Sequence, residues 1–336
     1  MSELDPNTPQ APAPGHRPQV LFVDDEPRIL TSLRMLCRRR YDVRIAEGGE
    51  AALAVLREHP VDVLVSDQRM PGMTGFELLR EARSIQPGAM RLLLTGYADL
   101  NAIIGSINEG EIFRFISKPW VNDELLAIID EAAAAAAAAP VPAAPAAAAR
   151  TDITDADAEM PADAAPSEAA GPGVLVLDPS PARRAEMAGV LGGNYRVIEA
   201  ADLDTAVERL QSDDIGVLIS DVRVENTRIV ELLGLLKTHA PNLVSIIVTE
   251  RADAHDAIEL INRSQVYRFL VRPLRQTMCR ISVRSALERH HTLRQNPEQT
   301  RRYAARPVTE EPAGLGRGLI DRIRRMRQRL QPGASA

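Results

Sequence analysis

The chain of 336 residues repeats itself once, at a constant offset of 154 residues and without a gap. Val174-Leu175-Val176-Leu177-Asp178 returns to the pattern of Val20-Leu21-Phe22-Val23-Asp24. In the same register Tyr41 pairs with Tyr195, Asp67 with Asp221, Pro87 with Pro241 and Thr95 with Thr249. Asp99/Asp253, Asn108/Asn262, Phe115/Phe269 and Pro119/Pro273 extend the match. Two apolar strands match by chance; scattered polar, proline and aromatic positions in one register do not. The chain therefore holds two copies of one domain.

Within the first copy, short apolar runs alternate with amphipathic segments. Val20–Val23, Val43–Ala46, Val61–Val65, Met90–Leu94 and Ile112–Ser117 read as strands. Helices are expected after Pro27, over about Gly49–Glu58, near Phe76–Ile85, near Asn101–Asn108 and from about Val121. Nearly continuous apolar strands separated by helices predict an α/β fold with a parallel sheet covered on both faces. The domains are expected at 19–131 and 173–289, after a Pro/Ala-rich tail over 1–18. Residues 132–172 read as an acidic, Ala/Pro-rich linker that begins by extending the preceding helix.

Composition narrows the class. A net charge of −6 argues against a protein that coats nucleic acid with its whole surface. No run approaches the ~20 apolar residues of a membrane span, and the first residues lack the basic start and apolar run of a signal peptide. Cys37 and Cys279 stand alone, with no zinc-like spacing, so a reducing, cytoplasmic setting is expected. Adjacent His290 and His291 fall on different helix faces and make a poor metal pair. Lys118 and Lys237 are the only lysines among the 40 basic residues, which draws attention to both.

Polar residues interrupt the first copy where its strands end. Asp24 and Asp25 follow the first strand, Asp67 ends the third, Thr95 the fourth, and Lys118 follows the fifth. In an open parallel sheet, ligands bind beyond these carboxyl ends. Three convergent carboxylates repel one another unless a hard cation such as Mg²⁺ joins them. A lysine and a hydroxyl opposite would hold the oxygens of a phosphoryl group, with Asp67 as the nucleophile that accepts it.

These segments are Val23-Asp24-Asp25-Glu26-Pro27, Ser66 through Gly75, Leu94-Thr95 and Ser117-Lys118-Pro119. Together they resemble the receiver domain of bacterial two-component response regulators over about residues 19–131. The resemblance implies two flavodoxin-like (βα)5 domains, each a five-stranded parallel sheet of order 2-1-3-4-5. It implies Asp67 as phosphoacceptor, with Mg²⁺ held by Asp24, Asp25, Asp67 and the backbone carbonyl of Arg69. Thr95 and Lys118 would read the phosphoryl group, Phe115 would be the switch aromatic, and Lys118-Pro119 a cis bond. Gln68 and Arg69, flanking the phosphoacceptor, are expected to tune hydrolysis.

The second copy keeps Asp178, Asp221 and Thr249, but Pro179 replaces the second acid and Arg272 the lysine. It is expected to keep the fold and to accept phosphate poorly or not at all, because one carboxylate fewer weakens Mg²⁺ binding and a forked guanidinium does not replace an ammonium geometrically. From Arg289 to Ala336, eleven arginines face four acidic residues, and a basic amphipathic helix is expected over 315–330. Its apolar stripe would be Leu319, Ile323, Met326 and Leu330. The stretch 290–336 is too short for a familiar output enzyme or winged helix, so no enzymatic output beyond the receiver's own phosphorylation and dephosphorylation is expected. The expected partners are a sensor histidine kinase or phosphotransfer protein, a downstream protein and a second copy of the chain. Nucleic-acid or membrane-surface binding through the basic helix, and a phosphate sink, are the alternatives.

Overall fold

The computed structural model describes residues 17–96, 112–138, 171–224, 227–250, 253–296 and 317–326. The described residues divide into two compact units, 17–138 and 171–326.

In the first unit the strands are β1 (Gln19–Val23), β2 (Asp42–Ala46), β3 (Val63–Asp67), β4 (Met90–Thr95) and β5 (Arg114–Ser117). The helices are α1 (Pro27–Cys37), α2 (Gly49–Glu58), α3 (Gly75–Ile85) and α4 (Asn122–Ala137). All strand pairs are parallel and the order is β2-β1-β3-β4-β5. Strands β3 and β4 are buried along their whole length, which is why they read as mainly apolar runs. On one face, Leu30 and Leu33 of α1 and Leu125 and Ile129 of α4 pack against Phe22, Val65 and Leu92. Alanines 132, 133 and 135 are buried in the same core, so the start of the alanine run is packing material rather than linker. The helix expected near Asn101–Asn108, most of the N-terminal tail and most of the linker lie outside the described residues.

Register sets the strand ends side by side. Val23 is opposite Ser66, Asp67 opposite Leu94, and Thr95 opposite Ser117. The next residues, Asp24 and Lys118, therefore emerge at one edge with Asp67 and Thr95. The strand order reverses between β1 and β3, which opens a crevice there.

The second unit repeats this plan with β6 (Gly173–Leu177), β7 (Val197–Ala200), β8 (Ile215–Ser220), β11 (Val244–Thr249) and β12 (Arg268–Val271). These form a parallel sheet in the order β7-β6-β8-β11-β12, the same topology as the first. Its helices are α5 (Pro181–Leu191), α6 (Leu203–Ser212), α7 (Ile229–His239), α8 (Ala254–Ser264) and α9 (Gln276–Gln295). Asp253 caps α8, its carboxylate accepting the backbone N–H groups of His255 and Asp256, which gives the repeated aspartate at 99 and 253 a structural purpose here.

Two features depart from the expected plan. Where the first copy has a Pro/Gly loop after β3, the second has an antiparallel hairpin of β9 (Arg223–Val224) and β10 (Thr227–Arg228). Helix α9 also runs past 289 to Gln295, because His290 and Leu293 still face the core.

The basic helix is part of the second unit. Helix α10 (Arg317–Met326) packs on α6 and α7 with Leu319, Ile320 and Ile323 buried. Arg322 pairs with Asp204 of α6 at 2.7 Å, and its carbonyl accepts from Gln211 Nε2 at 2.8 Å. The expected contributions of Leu330 and the Met326 side chain lie outside the described residues. Cys37 and Cys279 are free and buried, and burial pushes their thiols up to about 12 and about 11.

Candidate functional site

Local sequence builds the first pocket. After β1 the Asp24 carboxylate turns back to accept the Glu26 N–H at 2.9 Å, and Pro27 then opens α1. After β3 the Asp67 carboxylate accepts the Arg69 N–H at 3.2 Å. The loop closes on α3 through a capping box: Thr74 Oγ1 accepts the Glu77 N–H, and the Glu77 carboxylate accepts the Thr74 N–H. The Thr74 backbone N–H and hydroxyl, both donating to the Glu77 carboxylate, lower its pKa. Gly72 turns the loop at a φ of 80°. Gly75 has a different reason: a Cβ there would lie 2.0 Å from the Asp67 carbonyl oxygen.

Asp24 and Asp67 are buried and Asp25 is exposed, with carboxylate oxygens of all three within 4.8 Å of one another. Lys118 Nζ lies 2.7 Å from Asp67 Oδ1 and 3.2 Å from Asp24 Oδ2. Burial works against the lysine's charge, but the hydrogen bond to Asp67 and the two carboxylate charges outweigh it, and its pKa is raised. Three carboxylates against one ammonium leave the pocket negative. A hard-oxygen donor set of this kind fits Mg²⁺, which is commonly held through one or two carboxylates with retained waters.

Thr95 is buried beside this cluster; its hydroxyl donates to the Gly96 carbonyl at 3.1 Å and its carbonyl accepts the Lys118 N–H at 2.9 Å. Phe115 is buried on β5, three residues before the lysine. The Lys118–Pro119 and Arg272–Pro273 peptides are both cis. Gln68 is also buried: its side-chain oxygen accepts the Phe76 N–H at 3.1 Å and its carbonyl the Gly75 N–H at 3.1 Å. These bonds tie the loop to α3.

The second pocket keeps the frame and changes the occupants. Asp178 accepts the Ser180 N–H at 2.8 Å, the counterpart of the turn at Asp24. Asp221 accepts the Val222 N–H at 2.6 Å. Burial raises the Asp221 pKa, although the Val222 N–H, the Thr249 hydroxyl and Arg183 pull the other way. Arg272 borders the pocket but pairs with Glu186 of α5. The guanidinium near the two aspartates belongs to Arg183, 3.7 Å from Asp221 Oδ2 and 3.9 Å from Asp178 Oδ2. Its other nitrogen pairs with Glu250. Sequence reading missed Arg183 and Glu250; aligning the copies exposes them, because they stand where the first copy has Ile29 and Gly96.

Two sheets of order 2-1-3-4-5, one of them ending in a triad of aspartates facing a lysine, define a receiver-type α/β protein. The model of the response regulator receiver domain matches residues 20–130 and 174–284. The chain belongs to this family and carries its domain twice. It is 41% identical over 113 residues to the hydrogenase transcriptional regulatory protein HoxA of Cupriavidus necator, covering 34% of this chain and 23% of that protein. It is 36% identical over 120 residues to the transcriptional regulatory protein GlrR of Escherichia coli K12, covering 35% and 27%. The matched segment thus spans about a quarter of these relatives' length. Among solved structures, the signal receiver domain of an HD domain-containing protein from Pseudomonas fluorescens Pf-5 is 39% identical, with a TM-score of 0.34, covering 35% of this chain and 87% of that one. Among the described residues, no helix is long and apolar enough to cross a membrane.

Proposed function

We propose that the chain is a response regulator of a His–Asp phosphorelay that accepts a phosphoryl group on Asp67 and signals through protein–protein contacts. The observation that carries this reading is the buried Asp67 carboxylate, grouped with Asp24 and Asp25 and within 2.7 Å of Lys118. A phosphohistidine of a sensor kinase or phosphotransfer protein would be the donor. One Asp67 oxygen attacks phosphorus, the P–N bond breaks, and the histidine nitrogen leaves with its electron pair. Asp24, Asp25, Asp67 and the Arg69 carbonyl would hold Mg²⁺, which supplies charge neutralisation at the phosphoryl oxygens. Lys118, now on Asp67 Oδ1, would move to a phosphoryl oxygen. The Thr95 hydroxyl would turn from the Gly96 carbonyl to another, leaving space into which Phe115 packs.

The second domain serves as a docking or dimer module that does not accept phosphate, since it lacks the acid of Asp25 and its Arg272 is committed to Glu186. The burial of Leu319, Ile320 and Ile323 against the second domain weighs against α10 as a free nucleic-acid or membrane binder. Intact-mass measurement after acetyl phosphate and Mg²⁺ tests the site: one added phosphate is expected, none in Asp67→Asn, and one still in Asp221→Asn. Partner capture by wild type and Asp67→Asn, from cells with and without the kinase, tests the output; identical partner sets would defeat the switched-adaptor reading.

A further inference from the structure

The second pocket holds its own cation. Arg183 is the third residue of α5, and the Ser180 hydroxyl caps that first turn by accepting the Arg183 N–H at 3.4 Å. From there its guanidinium reaches Asp178, Asp221 and Glu250 together. The cavity left among Asp178, Arg183, Ser220, Asp221, Val248 and Arg272 is about 10 Å³. That is close to the least volume that holds one water.

The changes between the copies are paired. Ile29 and Gly96 of the first copy become Arg183 and Glu250, which meet across the pocket mouth. Ser32 and Lys118 become Glu186 and Arg272, which also meet. One pair brings a cation in and gives its outer face an anchor. The other takes away the cation that stood over the phosphoacceptor position. With Pro179 removing the third carboxylate, two acids remain, Asp178 buried and Asp221 half-buried, and one guanidinium faces them.

We propose that Arg183 is a tethered cation that occupies the second pocket in place of a divalent ion, anchored there by Glu250, and so holds this receiver in one state independent of Mg²⁺. The inference rests on the reading of residues 173–289 as a receiver that does not accept phosphate and supplies its cause. Loss of one carboxylate alone would leave a weakened metal site; an internal guanidinium excludes the metal.

The test is a Mg²⁺ titration of the full-length chain, followed by amide NMR shifts near Asp178 and Asp221. In wild type those amides are expected to stay unmoved while amides around Asp24 and Asp67 respond. The double variant Arg183→Ile, Glu250→Gly, which restores the first copy's residues, is expected to respond saturably, with Mg²⁺ affinity at the second pocket raised at least about tenfold. Arg183→Gln keeps the bulk without the charge and is expected to respond more weakly, which covers the case that the double variant does not fold. A saturable response at Asp221 in wild type overturns the proposal. So does the absence of any response in folded variants. The first-receiver amides report separately: their silence would undermine the Asp67 site without touching the role of Arg183.

Discussion

The two pockets share a backbone and differ in how they neutralise charge. In the first, Asp24 and Asp67 share one ammonium and remain short of positive charge. In the second, a buried Asp178 and a half-buried Asp221 face a guanidinium that pairs with Glu250. A deficit of positive charge is what lets a site take up a cation and an anionic group and then release them. A pocket that carries its own fixed cation has no such deficit. The retained aspartates therefore do not by themselves mark a working site: in the second copy Asp178 still builds the turn after its strand, whatever else it does.

The loops beneath the pockets offer the sharpest way to break this comparison. Gly75 and Ile229 occupy the same position, and each donates its N–H to the loop, to Gln68 and to Val222. Gly75→Ala drives a methyl into the Asp67 carbonyl, with an expected cost of ~3 kcal/mol and loss of Asp67 phosphorylation, read by denaturant unfolding and intact mass. Ile229→Ala instead removes buried side chain from a hairpin-bearing loop that already accommodates it, and is expected to cost about 2–3 kcal/mol with no effect on Asp67 phosphorylation. If Gly75→Ala is tolerated, the close approach at the first loop is not what separates the copies.

The covering helix is the next difference. Ile323→Ala is expected to lose roughly 2 kcal/mol and to raise hydrogen exchange in α6 and α7 but not in α2 and α3. Unchanged protection of α6 and α7 would mean that α10 contributes nothing to the second unit.

A pH response just below 6.5 is also expected in the second unit. His290 is buried, its Nδ1 bonded to the Asn242 carbonyl at 2.8 Å, and its counterpart is Ala136. Burial and nearby Arg294 and His291 lower its pKa below the usual 6.5, although the Asn242 carbonyl and Asp214 raise it. Below pH 6.5 the unfolded chain takes up a proton that the folded one resists, so the stabilisation present above that pH is lost as pH falls toward the folded value. Exchange protection of α9 should fall on that acid side in wild type and fall less in His290→Gln. The smallest effect is expected from Arg322→Ala, about 0.5 kcal/mol, because its ion pair with Asp204 is solvent-exposed. A much larger loss would make that pair, rather than Ile323, the anchor of α10.

Periodicity and the internal repeat carried most of the fold. Apolar runs as long as β3 and β4 bury both faces only in a covered parallel sheet, so the strand pattern implied the architecture. The residues brought together at the first pocket were legible for the same reason: polar residues that end successive parallel strands must share one edge. The hairpin β9–β10 was not legible, because two-residue strands have no period to read. Nor was the docking of α10, since an amphipathic stripe reveals that a helix has a partner and not which one.

By itself, then, the sequence determined the duplicated α/β plan, the Asp24, Asp25, Asp67, Thr95 and Lys118 constellation, and the loss of an acid at Pro179. Only the tertiary structure decided which arginine entered the second pocket. Arg272 sits at the lysine's position and was the natural choice by register, yet it turns to Glu186, while Arg183 reaches in from α5. Register fixes where a Cα lies, but a guanidinium lies several bonds beyond it. Its final place depends on which carboxylates the neighbouring helices and loops bring within reach.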